Sequence, residues 1–382
     1  MNENGQHKVM VVTGTRAEFG LLKPVMHAIH AHPALELYVV AAGSHLVQPA
    51  VTFREVKAAF AIADSIPMQT AGKVGRLHDV EALGKGIARF GRSYEMNQPD
   101  MVVVLGDRIE AFAAASAASV GGYLLAHIHG GDRAEGVADE AMRHAMTKLA
   151  HVHFPATQTS AGRIIKMGED PAQVHVVGSP AIDGLDEINP LGDGAYAEMG
   201  SPQVVVLMHP IGRDDQAEAA AMRTVLEAVG DKRVLVLHPN LDPGRRGIMG
   251  VIESAPIDVQ VRESFPREVF VGLLWRVADE GGALMGNSSA GLIEAAAIGC
   301  PSVDIGQRQA GRERCAGWTE HAEESVDSIR AALAKVTDSC TPRSDHPYGD
   351  GHAGERIAGL VAEHLAAVGG NRAAALRKRC SY

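Results

Sequence analysis

The stretch MVVVLGDRIEAFAAASAASVGGYLLAHI (101–128) decides the fold. Its first part, MVVVLG (101–106), is apolar without alternation, as a strand covered on both faces must be. The apolar run from Ala111 to Ile128 is interrupted by Ser116, Ser119 and the pair Gly121-Gly122. It therefore predicts a buried helix, a turn and a buried strand, YLLAHI (123–128), and not a membrane span. Two apolar strands joined by a helix make a right-handed βαβ unit and a parallel sheet.

The same alternation extends outward in both directions. Before it lie KVMVV (8–12) and LELYVVAA (35–42); after it lie HVHFPA (151–156) and VHVVGS (174–179). A second series follows: QVVVLMH (203–209), RVLVLHP (233–239), IDVQV (257–261), GALMGN (282–287) and PSVDIG (301–306). Between the two, INPLGDGAYAEMGSP (188–202) is rich in Gly and Pro and predicts an interdomain linker. The expected architecture is α/β, two Rossmann-like domains with parallel sheets, spanning 1–186 and 187–382. The helical segment after Gly351 is free to pack back on the first domain. In open α/β sheets ligands sit beyond the carboxyl ends of the strands, so the expected active site is the interdomain cleft.

Composition agrees with this class. The chain has 382 residues, long for one domain and comfortable for two. Hydrophobic residues make up 46% and charged residues 21%, as in ordinary globular proteins. The formal net charge of -10 argues against broad nucleic-acid binding, yet leaves room for a local phosphate pocket. Cys300, Cys315, Cys340 and Cys380 show no paired metal spacing and read as reduced thiols. MNENGQHKVMVV runs almost directly into a strand, without a signal-peptide pattern. The expectation is a soluble, cytoplasmic protein with no membrane partner.

The strand ends carry the candidate chemistry. TGTRAEFG (13–20) places Gly14 in a tight turn before a helix whose free N–H groups suit a phosphate, and Arg16 adds a bidentate donor. In GDRIE (106–110), Asp107 reads as the N-cap of a helix over 108–120 or as a functional carboxylate. GNSSAGLIEAAAIGCP (286–301) starts a helix of small residues. There Gly286, Asn287, Ser288 and Ser289 have the shape of a diphosphate cradle, and Glu294 is placed to take a ribose diol. His209-Pro210 and His238-Pro239-Asn240 end two strands of the second domain.

The densest segment is HIHGGDRAEGVADEAMRHAMTKLAH (127–151). A helix is expected from Ala138, with Asp139–Arg143, Glu140–His144 and His144–Lys148 four apart. A salt-bridged exposed helix explains those pairs, but not the acids and glycines before them. A metal reading needs His127, His129 and Asp132; the two histidines would share a strand face, but no zinc-like spacing supports it. An acid–base reading gathers Asp107, Asp132 and Asp139 at neighbouring strand ends, where clustered carboxylates raise one another's pKa.

GTRAEFGLL, VLGDRIEAFAAA, the 127–151 segment, SFPREVF and GNSSAGLIEAAAIGCPSVDIGQRQAGRERC together resemble the UDP-N-acetylglucosamine 2-epimerase family, and more closely its hydrolysing, sialic-acid-pathway branch. The resemblance runs in order from about residue 8 to about residue 315. It implies a glycosyltransferase-B-type fold and the conversion of UDP-N-acetylglucosamine and water into N-acetylmannosamine and UDP. UDP would leave by anti elimination, and a 2-acetamidoglucal would then be hydrated with inversion at C2. By resemblance, Asp107, Asp132 and Asp139 are the acid–base set, supported by Arg143 and His144. Gly14, Arg16, His209, Asn240, Gly286, Asn287, Ser288, Ser289, Glu294 and Arg312 are the substrate-binding positions. No metal or cofactor is implied, and a homodimer is. The helix sequence DEAMRHAMTKLAH and His209-Pro210-Ile211-Gly212 favour the hydrolysing branch over the non-hydrolysing one.

One departure stands out. The family often has Glu where this chain has Asp132, one methylene shorter. Glu135 could share its role, or the substrate could be GDP-N-acetylglucosamine or a UDP-linked 2,4-diacetamido sugar. Two other functions compete: a glycosyltransferase, which needs an acceptor site, and a non-catalytic nucleotide-sugar-binding protein, which has no use for three acids.

Overall fold

A computed structural model describes residues 5–48, 52–73, 75–133, 138–240, 242–256, 259–337, 346–369, 371–378 and 381, with only the backbone of residues 138, 139 and 372. The chain forms two compact units. The first comprises residues 1–132, 138–183 and 348–382, and the second residues 133–137 and 184–347.

The first unit holds strands β1 (His7–Thr13), β2 (Leu35–Ala42), β3 (Ile62–Ile66), β4 (Met101–Leu105), β5 (Leu124–Ile128) and β6 (Val152–Phe154). Its helices up to residue 166 are α1 (Arg16–Ala31), α2 (Phe53–Ala59), α3 (Arg76–Asn97), α4 (Ile109–Gly121), α5 (Ala138–Leu149) and α6 (Gln158–Lys166). The second unit holds α7 (Asp193–Glu198), β7 (Val204–Leu207), α8 (Asp215–Val229), β8 (Val234–Leu237), α9 (Arg245–Glu253) and β9 (Gln260–Arg262). It continues with α10 (Arg267–Asp279), β10 (Ala283–Gly286), α11 (Glu294–Ile298), β11 (Ser302–Ile305), β12 (Thr319–Ala322) and α12 (Val326–Thr337). The chain then returns to the first unit with α13 (Ala353–Val368) and α14 (Arg372–Ala375).

Both sheets are parallel, and both have six strands. The first runs β3-β2-β1-β4-β5-β6; the second runs β12-β11-β10-β7-β8-β9, the same order counted within its own unit. The order reverses between β1 and β4, and again between β7 and β10. Two apolar layers sandwich the first sheet. One gathers Val9, Val11, Val103 and Ile128 with α1 and α13; the other gathers Met10, Val102, Val104 and the alanines of α4. Because β4 and β5 are covered on both sides, every one of their residues is buried.

Three expectations change. IADSI (62–66) and TEHA (319–322) are strands although neither is an apolar run. Both are edge strands, with one neighbour and less cover, so their sequences need not be continuous in apolar residues. VHVVGS (174–179) is apolar but forms no strand; it makes only a single bridge, His153 to Val174, before Ser179 turns to hydrogen-bond Tyr348. The segment 188–202 is not a bare linker. It contains α7, whose Tyr196 is buried and donates its hydroxyl to the Pro202 carbonyl at 2.7 Å. No helix among the described residues is long and apolar enough to cross a membrane.

Gly286 ends β10 with φ +146°, and a Cβ there would run into the Leu207 carbonyl oxygen of β7. Gly286→Ala is therefore expected to destabilise the second unit by about 3 kcal/mol in denaturant unfolding. Gly250→Ala, in open space on α9, should instead be neutral or gain up to about 1 kcal/mol.

Candidate active site

In the first unit the site is built where the strand order reverses. After β1, Gly14 lies against Glu110, the second residue of α4; a Cβ on Gly14 would sit 2.5 Å from the Glu110 Cβ. Thr15 caps α1, its side chain accepting from the Glu18 N–H at 3.3 Å. Glu18 reaches back and accepts the Gly14 N–H at 2.7 Å. Burial pushes the Glu18 carboxyl up to about 8; the Gly14 hydrogen bond opposes this, and the Glu110 charge adds to it. Arg16 is half-buried and ion-paired to Glu55 of α2 at 3.0 Å.

After β4, Asp107 does not cap the helix. The N-cap position of α4 is Arg108, with no side-chain cap. Asp107 is instead ion-paired to the buried guanidinium of Arg143 on α5. Arg143 also faces Asp132, 3.5 Å from its Oδ2. Spacing suggested Asp139 as the partner of Arg143; among the described side chains its partners are Asp107 and Asp132, which spacing did not suggest. Asp132 is buried and accepts the Ser160 hydroxyl at 2.7 Å, with His129 Nδ1 3.6 Å away. The backbone of Asp139 lies in the first turn of α5, but its side chain, like the whole of Glu135, lies outside the described residues. His144 lies one residue beyond Arg143 on α5, its Nε2 3.5 Å from Glu140.

His127 of β5 and His129, just after it, make separate contacts. His127 is fully buried; Nε2 bonds the Gly106 carbonyl at 2.8 Å and Nδ1 meets Thr147 at 3.3 Å. Burial lowers its pKa to about 4, so it is neutral. The strand stops at Ile128, and His129 turns away with φ +61°, its Nε2 2.9 Å from the Ser179 hydroxyl. The alternation that would place both rings on one face ends there. Among the described residues no His, Cys, Asp and Glu group is arranged to hold a metal ion.

In the second unit, Asn287 is the hub. Its Nδ2 donates to the His209 carbonyl at 2.8 Å, and its Oδ1 accepts the His209 N–H at 2.7 Å. His209 Nδ1 in turn accepts the Asn240 N–H at 3.2 Å. The ends of β7, β8 and β10 are thus tied into one surface that includes Gly286. The Asn287 carbonyl accepts from Arg308 at 3.0 Å and Gln309 at 2.9 Å; Arg312 donates to the Gln309 side chain at 2.9 Å. Ser288 and Ser289 follow, half-exposed. They open a 3-10 turn, Ser289–Gly291, rather than the small-residue helix expected to start here; α11 starts only at Glu294 and ends at Ile298. A cradle here rests on hydroxyls and individual N–H groups, since a helix this short has little macrodipole.

The geometry brings together residues that sequence reasoning did not single out. Ser160 donates to Asp132, and Arg308 and Gln309 share the Asn287 carbonyl. Ser160 lies on α6, 28 residues from Asp132, and Arg308 and Gln309 lie within the quoted motif but carry no spacing signal.

The family profile described as UDP-N-acetylglucosamine 2-epimerase matches residues 27–362. The chain belongs to that family. A hydrolysing UDP-N,N'-diacetylbacillosamine 2-epimerase of Legionella pneumophila is 32% identical over 93% of this chain and 95% of its own length. A UDP-N-acetylglucosamine 2-epimerase of Neisseria meningitidis serogroup B is 31% identical over 80% of this chain and 81% of its own. Among solved structures, the Neisseria meningitidis UDP-GlcNAc 2-epimerase bound to UDP-GlcNAc superposes with a TM-score of 0.75 at 19% identity, covering 93% of this chain and 100% of that one. The two Rossmann-like units of this epimerase-family chain are accordingly the glycosyltransferase-B-type fold.

Two measurements test the electrostatics. Arg143→Met leaves Asp107 and Asp132 without their shared cation and should cost about 3 kcal/mol in denaturant unfolding. Glu18→Gln should gain on the wild type as pH rises. Below about 4.5 Glu18 is protonated in both states; between there and about 8 only the unfolded chain releases the proton. Native stability then falls by about 1 kcal/mol per pH unit for the wild type and not for the variant. A gap that stays constant from pH 5 to 8 contradicts a neutral buried Glu18.

Proposed function

We propose that this epimerase-family chain is a hydrolysing UDP-N-acetylglucosamine 2-epimerase, releasing UDP and N-acetylmannosamine, a product suited to sialic-acid-type sugar synthesis. The observation that carries the reading is the buried Asp107–Arg143–Asp132 cluster at adjacent strand ends. A 2-epimerisation through a glucal must take a proton from C2, where no adjacent carbonyl acidifies it, so it needs a carboxylate held in the charged form. A guanidinium between two carboxylates favours that form. Hydration of the glucal then needs a proton returned to C2 and a base for water. Asp107, Asp132 and Asp139 form the acid–base set, with Arg143 and His144 supporting them.

Expelling UDP requires that the diphosphate charge be met. Arg16, His209, Ser288 and Ser289 take that role, and Glu294 takes the ribose. Gly14 and Gly286 let backbone come close. Asn240, Asn287 and Arg312 hold the surface of the second unit in shape. Arg16 must exchange Glu55 for the diphosphate.

A second reading keeps the mechanism and changes the sugar. The Legionella relative is named for a UDP sugar with two N-acetyl groups and for hydrolysis, which supports both the branch and a diacetamido substrate. The shorter Asp132 suits a substrate placed differently from N-acetylglucosamine.

Incubation in D2O with UDP-N-acetylglucosamine, its GDP analogue and the UDP-2,4-diacetamido sugar, followed by proton NMR, separates these. The expected result is a free 2-epimer carrying deuterium at C2, together with free nucleotide, from one of them. Intact UDP-N-acetylmannosamine in equilibrium with substrate would overturn hydrolysis. Asp107→Asn should lower turnover at least about a hundredfold while UDP affinity stays within about twofold.

A further inference from the structure

Beyond the strand ends, one buried carboxylate is held by groups from three parts of the first unit. Glu169, just after α6, is 2% exposed. Lys148 of α5 lies 2.6 Å from it, Lys378 2.6 Å and His153 of β6 3.1 Å. Burial would raise its pKa, but these partners hold it down to about 2, so it is an anion. Lys378 does more than neutralise it. Its ammonium donates to the carbonyls of Thr147 at 3.0 Å, Lys148 at 2.6 Å and Ala150 at 2.5 Å. Those are carbonyls that the end of α5 leaves without intrahelical partners, at the negative end of its dipole.

The segment that delivers Lys378 is itself anchored. Leu376 packs on the first core, and Ser381 donates its N–H to Gly168 at 2.9 Å and its hydroxyl to the Glu169 carbonyl at 3.1 Å. From the Lys378 ammonium a continuous path leads to the acid–base cluster. Thr147, whose carbonyl Lys378 holds, donates its hydroxyl to the Arg143 carbonyl at 3.1 Å, and Arg143 holds Asp107 and Asp132. α5 begins beside the candidate acids and ends on Lys378.

We infer that Lys378 is a positioning residue for the acid–base set: by clamping the carboxyl end of α5 against Glu169, it fixes the place of Arg143 between Asp107 and Asp132. This rests on the function proposed above. It touches no substrate, so its loss should slow the chemical step and spare binding.

The test uses the full chain with Lys378→Met and Lys378→Arg, reading turnover and amide hydrogen exchange together. For Lys378→Met, kcat should fall about tenfold with KM within about twofold, because small misplacements of catalytic groups act on rate. Amides of α5 should exchange at least about tenfold faster while those of α8, in the other unit, are unchanged. Lys378→Arg, which keeps a cation able to reach carbonyls and carboxylate, should restore most of both. Faster α5 exchange with unchanged kcat, or a loss confined to KM, would overturn the positioning role. So would faster exchange spread evenly over both units, which marks general destabilisation. If the wild type turns over none of the donors, the proposed function fails. The exchange arm then decides alone, and unchanged α5 exchange in Lys378→Met overturns the clamp.

Discussion

A parallel sheet whose strand order reverses must leave a gap in its cover. The chain leaves β1 for β2 on one side and enters β4 and β5 on the other, so the connections after β1 and β4 diverge. Whatever follows those two strands is brought side by side without being buried under a crossover. The same reversal recurs between β7 and β10. Several residues of chemical interest occupy those positions: Gly14 and Arg16 after β1, Asp107 after β4, His209 after β7, Asn287 and the serines after β10. The apolar strands supply the burial that fixes these ends, and the topology supplies the opening.

Across the first unit the carboxyl groups are sorted by environment. Asp107 and Asp132 share a guanidinium, Glu169 sits among two ammonium groups and a histidine, and Glu18 has one backbone N–H against the cost of burial. Three kinds of company give three kinds of carboxyl group: a pair sharing one guanidinium, a structural anion and a neutral acid. The neutral one lies under the turn of Gly14, whose N–H it accepts.

The central strands were legible because being covered on both faces demands continuous apolar sequence, as in Val102–Leu105 and Leu124–Ile128. The edges were not. β3 and β12 carry Asp64, Ser65, Glu320 and His321, which an edge tolerates, and the apolar 174–179 run lacks a strand because only His153 and Val174 pair there. At the site, residue types at strand ends could be read, but partners could not. Helical spacing offered Arg143 only Asp139 within its own helix, and could not show that it also reaches Asp107 and Asp132 on two other segments. Asp107 looked like a helix cap until that guanidinium claimed it. His129 looked like a strand residue, and a single left-handed φ sends its ring elsewhere.

The first unit is not continuous in sequence. Asp183 ends its main stretch and caps α13 far downstream, accepting the N–H of Ala353 at 3.0 Å and of Gly354 at 2.6 Å. Ile357, Val361 and Leu365 of that helix fill the same core as Val9 and Val103. During synthesis, then, the first sheet emerges first but waits with one apolar face only partly covered, by α1, while the whole second unit is made. A nascent chain stalled before α13 would hold a finished second unit and an unfinished first one, with apolar surface for a chaperone to find.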